Sequence, residues 1–180
     1  MAHELISNDA LRGVLAAGTP GVGDAAPDFE LPALIAGVKK TLRLSAYRGK
    51  KSVVLAFYPF NWQEPSAAQL VSYQVQRPKV LASNAEIVAI TVDSIMNTTA
   101  WERAIGPFDF PMCSDFWPHG EVSDRYGVLR KSAQKSNEGV GASERAVLVV
   151  DRSGSIAFRK SYNDGEVAPV EEVLAVLERI

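Results

Sequence analysis

Few side chains in this sequence could carry covalent chemistry. There is one cysteine, Cys113, and there are two histidines, His3 and His119. A single cysteine excludes an internal disulfide and fits a reducing compartment. The three residues do not stand at metal-ligand spacing, so no metal is expected, and nothing implies a cofactor. Cys113 closes the apolar run Phe110-Pro111-Met112 and reads as a small buried hydrophobe. A Ser-His-acid triad would have to bring His119 to a distant serine such as Ser66 with Glu64 beside it. That separation argues against a hydrolase. His3 lies in the leading stretch and carries no specific role.

Composition narrows the partners. The chain is 47% hydrophobic and 22% charged, enough apolar residue to bury a core. Its formal net charge of -2 gives no basic surface for nucleic acid or for an anionic membrane. No apolar run approaches the ~20 residues of a membrane span. The leading stretch is interrupted by Glu4, Asn8, Asp9 and Arg12, so it has no signal-peptide core, and a cytoplasmic protein is expected.

The elements that would position a site follow from periodicity. Residues 1–22 read as a loose or helical arm, and 23–180 as one domain. Phe29-Glu30-Leu31 alternates and is expected to stop at Pro32; Thr41 to Leu44 alternates again. Ser52 to Tyr58 is a continuous apolar run that predicts a strand buried on both faces, and Ile87 to Val92 is a second. Helical spacing runs from Ser66 to about Leu81, with Pro78 as an expected kink. A helix through Ile105 would be capped by Asn97 or Thr98. Phe110 to Ser114 reads as a short strand and His119 to Tyr126 as a short helix. Lys131 to Ser143 reads as a loop. Ala146 to Val150 and Ser155 to Phe158 flank a hairpin turn, and Val167 to Ile180 closes the chain as an amphipathic helix. The order predicts an α/β fold with a mixed central sheet and helices on both faces.

Motifs in order sharpen this. They are Gly23-Asp24-Ala25-Ala26-Pro27-Asp28-Phe29, Tyr47-Arg48-Gly49-Lys50, the strand into Pro59, Val88 to Ser94, Phe110 to Gly120, Tyr126-Gly127-Val128 and Arg145 to Asp151. Together they resemble the peroxiredoxins of the AhpC/TSA family, and Ser114 to Gly120 resembles the one-cysteine actinobacterial branch. The resemblance implies a thioredoxin-like fold with an N-terminal hairpin extension, a homodimer, and thiol-dependent reduction of hydroperoxides.

The family signature is Pro-x-x-x-Thr-x-x-Cys. Here it reads Pro59-Phe60-Asn61-Trp62-Gln63-Glu64-Pro65-Ser66. The proline is kept, Gln63 stands at the threonine position and Ser66 at the peroxidatic cysteine position. Gln69 stands where that branch often has glutamate, and Arg145 matches the family arginine. A cysteine titrates near pH 8.5 and a helix N-terminus with a cation lowers it further. The same influences leave a serine hydroxyl protonated, and oxygen has no sulfenic ladder to climb. Ser66 therefore cannot perform the family reaction. Either the cysteine was replaced by design or it was lost naturally. Departures at Gln63, Pro65 and Gln69 favour natural loss, because a designed trap changes one residue.

What remains is a pocket of Pro59, Gln63, Ser66 and Arg145. Tyr58, Trp62, Glu64 and Trp117 are expected to contribute binding contacts beside it. Arg145 reads either as the group that, with the first amides of the Ser66 helix, would hold an oxygen of a small-molecule ligand, or as a structural partner for Glu64, Glu144 or a loop carbonyl. Glu64, if partly buried, would be the nearby proton carrier. The aromatic residues Tyr58, Phe60, Trp62, Phe116 and Trp117 read as pocket wall or dimer packing. The alternative to a working pocket is a non-enzymatic dimeric binding protein.

Overall fold

The computed structural model describes residues 18–131 and 141–180. Most of the arm 1–22, and the centre of the loop read over Lys131 to Ser143, lie outside them. Among the described residues one mixed sheet of seven strands forms the centre. The strands are β1 (Glu30–Ile35), β2 (Val38–Arg43), β3 (Ser52–Phe57), β4 (Ala85–Thr91), β5 (Met112–Ser114), β6 (Arg145–Val150) and β7 (Ile156–Tyr162). The helices are α1 (Glu64–Ala82), α2 (Ile95–Ile105), α3 (Glu121–Arg125) and α4 (Val170–Leu177). Sheet order is β2-β1-β5-β4-β3-β6-β7.

The centre is parallel: β3 pairs β4 and β4 pairs β5, each through a helical crossover. All other pairings are antiparallel. Every residue of β3, β4 and β6 is buried, as their largely apolar runs demand of strands covered on both faces. Alternate residues separate into two cores. Val54, Ala56 and Tyr58 pack with Leu70 and Tyr73 of α1, Trp101 of α2, and Val170 and Val173 of α4. Val53, Leu55 and Phe57 pack on the opposite face with Phe29, Val122 and Tyr126. No helix of the described residues is long and apolar enough to cross a membrane.

Local chemistry explains where the elements depart from the sequence reading. β1 runs straight through Pro32, which pairs Thr41 of β2. Its pairing with β5 reaches only Ala33 and Leu34, so on that side the proline interrupts no ladder. α1 continues through Pro78 to Ala82, with Pro78 on the exposed face. α2 is capped by neither Asn97 nor Thr98. Ser94 Oγ accepts from the Asn97 amide at 3.2 Å, one turn earlier. β5 is shorter than expected, beginning at Met112, and α3 begins at Glu121.

Candidate functional site

β3 ends at Phe57, and the next two residues, Tyr58 and Pro59, are still buried. The chain then turns through Phe60 to Gln63 and enters α1. Asn61 fixes this turn. Its backbone amide donates to Asp93 Oδ2 at 2.6 Å. Its Nδ2 donates to Asn97 Oδ1 and Thr98 Oγ1, each at 3.0 Å, and its Oδ1 accepts from the Tyr58 hydroxyl at 2.8 Å. The turn is thereby tied to the end of β4 and the head of α2. Trp62 takes a left-handed backbone (φ 63) and donates its indole N–H to the same Asn97 oxygen at 3.0 Å. Burial raises the Asp93 carboxyl above its usual range, and the Asn61 amide opposes this.

Ser66 is the third residue of α1, after Glu64 and Pro65. Proline is favoured in the first turn, where its missing N–H has no helical partner to lose. Helical spacing puts Ser66, Gln69 and Tyr73 on one face of α1, and that face covers Arg145, the first residue of β6. All four side chains are excluded from solvent. Arg145 Nη1 donates to Gln69 Oε1 at 2.7 Å, and Nη2 donates to Ser66 Oγ at 3.2 Å and to the Asp164 carbonyl at 3.3 Å. Arg145 Nε makes no hydrogen bond among the described residues, and Gln69 Nε2 and Tyr73 Oη make no close one, although the Gln69 amide lies near enough to the phenol to lower its pKa. Burial lowers the pKa of Arg145 and the neighbouring Asp164 raises it; a guanidinium stays charged under both. Burial pushes the Tyr73 phenol up, so it stays neutral.

Of the expected site residues, Ser66 and Arg145 meet. Gln63 does not join them: it is exposed, and as the residue before α1 its extended backbone frees its side chain from the helical face. Glu64 is exposed and is no buried proton carrier. Pro59 is buried, and its carbonyl accepts from Thr91 at 3.4 Å. Tyr58 is no ligand contact, because its ring lies 5.9 Å from Trp101 in the core and its hydroxyl serves Asn61. Trp62 and Trp117 are 58% and 82% exposed, outside the buried cluster. His119 is exposed and meets the Gly141 carbonyl at 2.7 Å, not Ser66. Cys113 is fully buried in β5, and burial, with Asp115 nearby, pushes its thiol up, which removes it as a nucleophile. Three residues were missed as site members. Gln69 stands out in the sequence only as a departure from the family pattern, although its spacing from Ser66 by three places it on the same face. Tyr73 follows by the same rule. Asn61 gives no such signal.

The arrangement is a buried cation at the head of a long helix, faced by a hydroxyl, an amide and a phenol. It can bind and polarise oxygen but offers no anionic nucleophile.

Sheet order and the position of this cluster define a thioredoxin-like protein of peroxiredoxin architecture. The chain belongs to the AhpC/TSA family, whose model matches residues 22–159. Alkyl hydroperoxide reductase E of Mycobacterium tuberculosis is 36% identical over 146 residues, covering 81% of this chain and 88% of that protein. This agrees with the branch that Ser114 to Gly120 resembles. A putative peroxiredoxin of Synechocystis is 32% identical, covering 88% of this chain and 78% of its own length. Among solved structures, Enterococcus faecalis AhpC superposes with a TM-score of 0.79 at 25% identity, covering 89% of this chain and 92% of that one.

Proposed function

We propose that this peroxiredoxin-family protein does not reduce peroxides and that its Ser66–Arg145 cluster instead holds a small oxygenated or anionic molecule. One observation carries the reading: the buried Arg145 guanidinium donates to a serine hydroxyl at the head of α1, where the family reaction needs a thiolate. In this site Arg145 and Ser66 hold a ligand oxygen, and the Gln69 amide and the Tyr73 hydroxyl add neutral hydrogen bonds. Gln63 and Glu64, both exposed, take no part. The ligand is bound without a covalent intermediate.

The test is hydrogen peroxide consumption with a thiol reductant, for this chain and for Ser66→Cys side by side. This chain is expected to be inert. A rapid reaction of Ser66→Cys alone would mean that the surroundings are still built for peroxide, as in a designed or recent cysteine replacement. Inertness of both favours a repurposed pocket. Turnover by this chain itself would overturn the reading.

A second reading has its own support. Trp62, Phe116 and Trp117 are large aromatic side chains with half or more of their surface exposed. Such residues favour a partner surface. A symmetric homodimer covering them would serve as a binding protein even with the cluster idle.

A further inference from the structure

We propose that the outer face of α1 is an interface between copies of this chain, in which two α1 helices pack antiparallel across a two-fold axis. It stands apart from the Ser66–Arg145 cluster, which lies on the buried face of the same helix, and from the aromatic surface that holds Trp117.

The observation is an inversion of the usual pattern. A surface helix turns its polar residues to water. In α1 the polar Ser66 and Gln69 are buried. Gln74 and Arg77 are drawn to the flanks, where they bond Asp109 and Glu86. Between Glu64 and Lys79 every exposed residue is apolar: Ala68, Val71, Val75 and Pro78. Val71 and Val75 leave 44% and 68% of their surface in water. With the exposed Ala82 beyond, these residues step along the chain by three and four in alternation. That spacing makes the seam which a second helix fills.

Charge says which helix. The seam has an acid at its start, Glu64, and a base near its end, Lys79, and both are exposed. Neither forms an ion pair among the described residues. A second α1 laid antiparallel sets Val71 against the partner's Val75 and Ala68 against the partner's Pro78. In that register Glu64 lies less than one turn, about 4.5 Å along the axis, from the partner's Lys79, within reach of two long side chains. The two-fold makes each contact twice. A parallel pair would set like charges side by side. One helix face covers less than the ~800 Å² per partner of a standard interface, so the association is weak and grows with concentration.

The experiment is disulfide capture in the full chain carrying Trp117→Glu, which spoils the aromatic surface. Cys113 is buried and does not compete. Val71→Cys and Val75→Cys are made separately, then oxidised alone and mixed. The mixture is expected to give a linked dimer, and each variant alone at least about fivefold less, because only the unlike positions come within disulfide reach. Sedimentation equilibrium tests the charges. Glu64→Lys and Lys79→Glu are each expected to weaken self-association about threefold to tenfold, and the two together to restore it. Val75→Asp is expected to abolish it with the helical circular dichroism unchanged. Equal capture in the mixture and in the single variants would overturn the antiparallel two-fold, as would a double charge reversal that recovers nothing. Absence of concentration-dependent association would overturn the proposal outright, the seam then being bare or covered by another segment of this chain.

Discussion

Ser66→Ala removes the hydroxyl that accepts from Arg145 at 3.2 Å and leaves a buried charged donor short of a partner. The expected cost is about 1–3 kcal/mol, read from denaturant unfolding with an unchanged slope. Asn61→Ala is expected to cost a similar amount. It should also change the fluorescence of Trp62, because the turn loses its ties to Tyr58, Asn97 and Thr98 while the indole stays bonded to Asn97. These two residues differ in how readable they were. Ser66 and Arg145 stand at motif positions, one at a fixed spacing after Pro59 and the other at the start of a buried apolar run. Apart from Tyr58, the groups that give Asn61 its role lie more than thirty residues away in sequence, after β4 and on α2. Nothing local marks it. Gln63 misled for the converse reason: motif spacing suggests a site residue, but it precedes the first helical turn and so escapes the face that Ser66 occupies.

At the scale of elements, strands buried on both faces were legible and boundaries were not. β3, β4 and β6 show as apolar runs from Val53, Ile87 and Ala146. Pro32 hid the length of β1, because whether a proline ends a strand depends on which neighbour pairs beside it. The true cap of α2 lay one turn before the expected residues. Ser94→Ala is expected to cost about 1 kcal/mol, and it should loosen Asn97 and with it the Trp62 turn. The last strand and helix are joined by charge. Donation from Lys160 holds the Glu172 carboxyl below its usual range, with Tyr162 donating as well. A carboxylate lowered by folding stabilises the protein above its unfolded pKa, about 4.3, and loses that contribution as the pH falls through the lower folded value. The midpoint of the native chain should therefore fall more steeply than that of Glu172→Gln as pH drops below about 4.

At the scale of the molecule, assembly is the open variable that mutation can address. Trp117 is 82% exposed, so Trp117→Glu should leave the helical circular dichroism unchanged while shifting sedimentation from dimer to monomer. A sedimentation coefficient that does not move would place any interface elsewhere. One feature of the fold also sets a clock. The Asp164 carbonyl that caps Arg145 belongs to an exposed turn, and Arg130 holds that turn down through the Asp164 carboxylate. With Ser66, Gln69 and Arg145 sealed from solvent, exchange of any occupant waits on a fluctuation of the covering chain rather than on diffusion. Any ligand of the cluster should thus reside long. Asp164→Asn should speed arrival, and for an anion it should also tighten binding, because it deletes the carboxylate that interacts with Arg145.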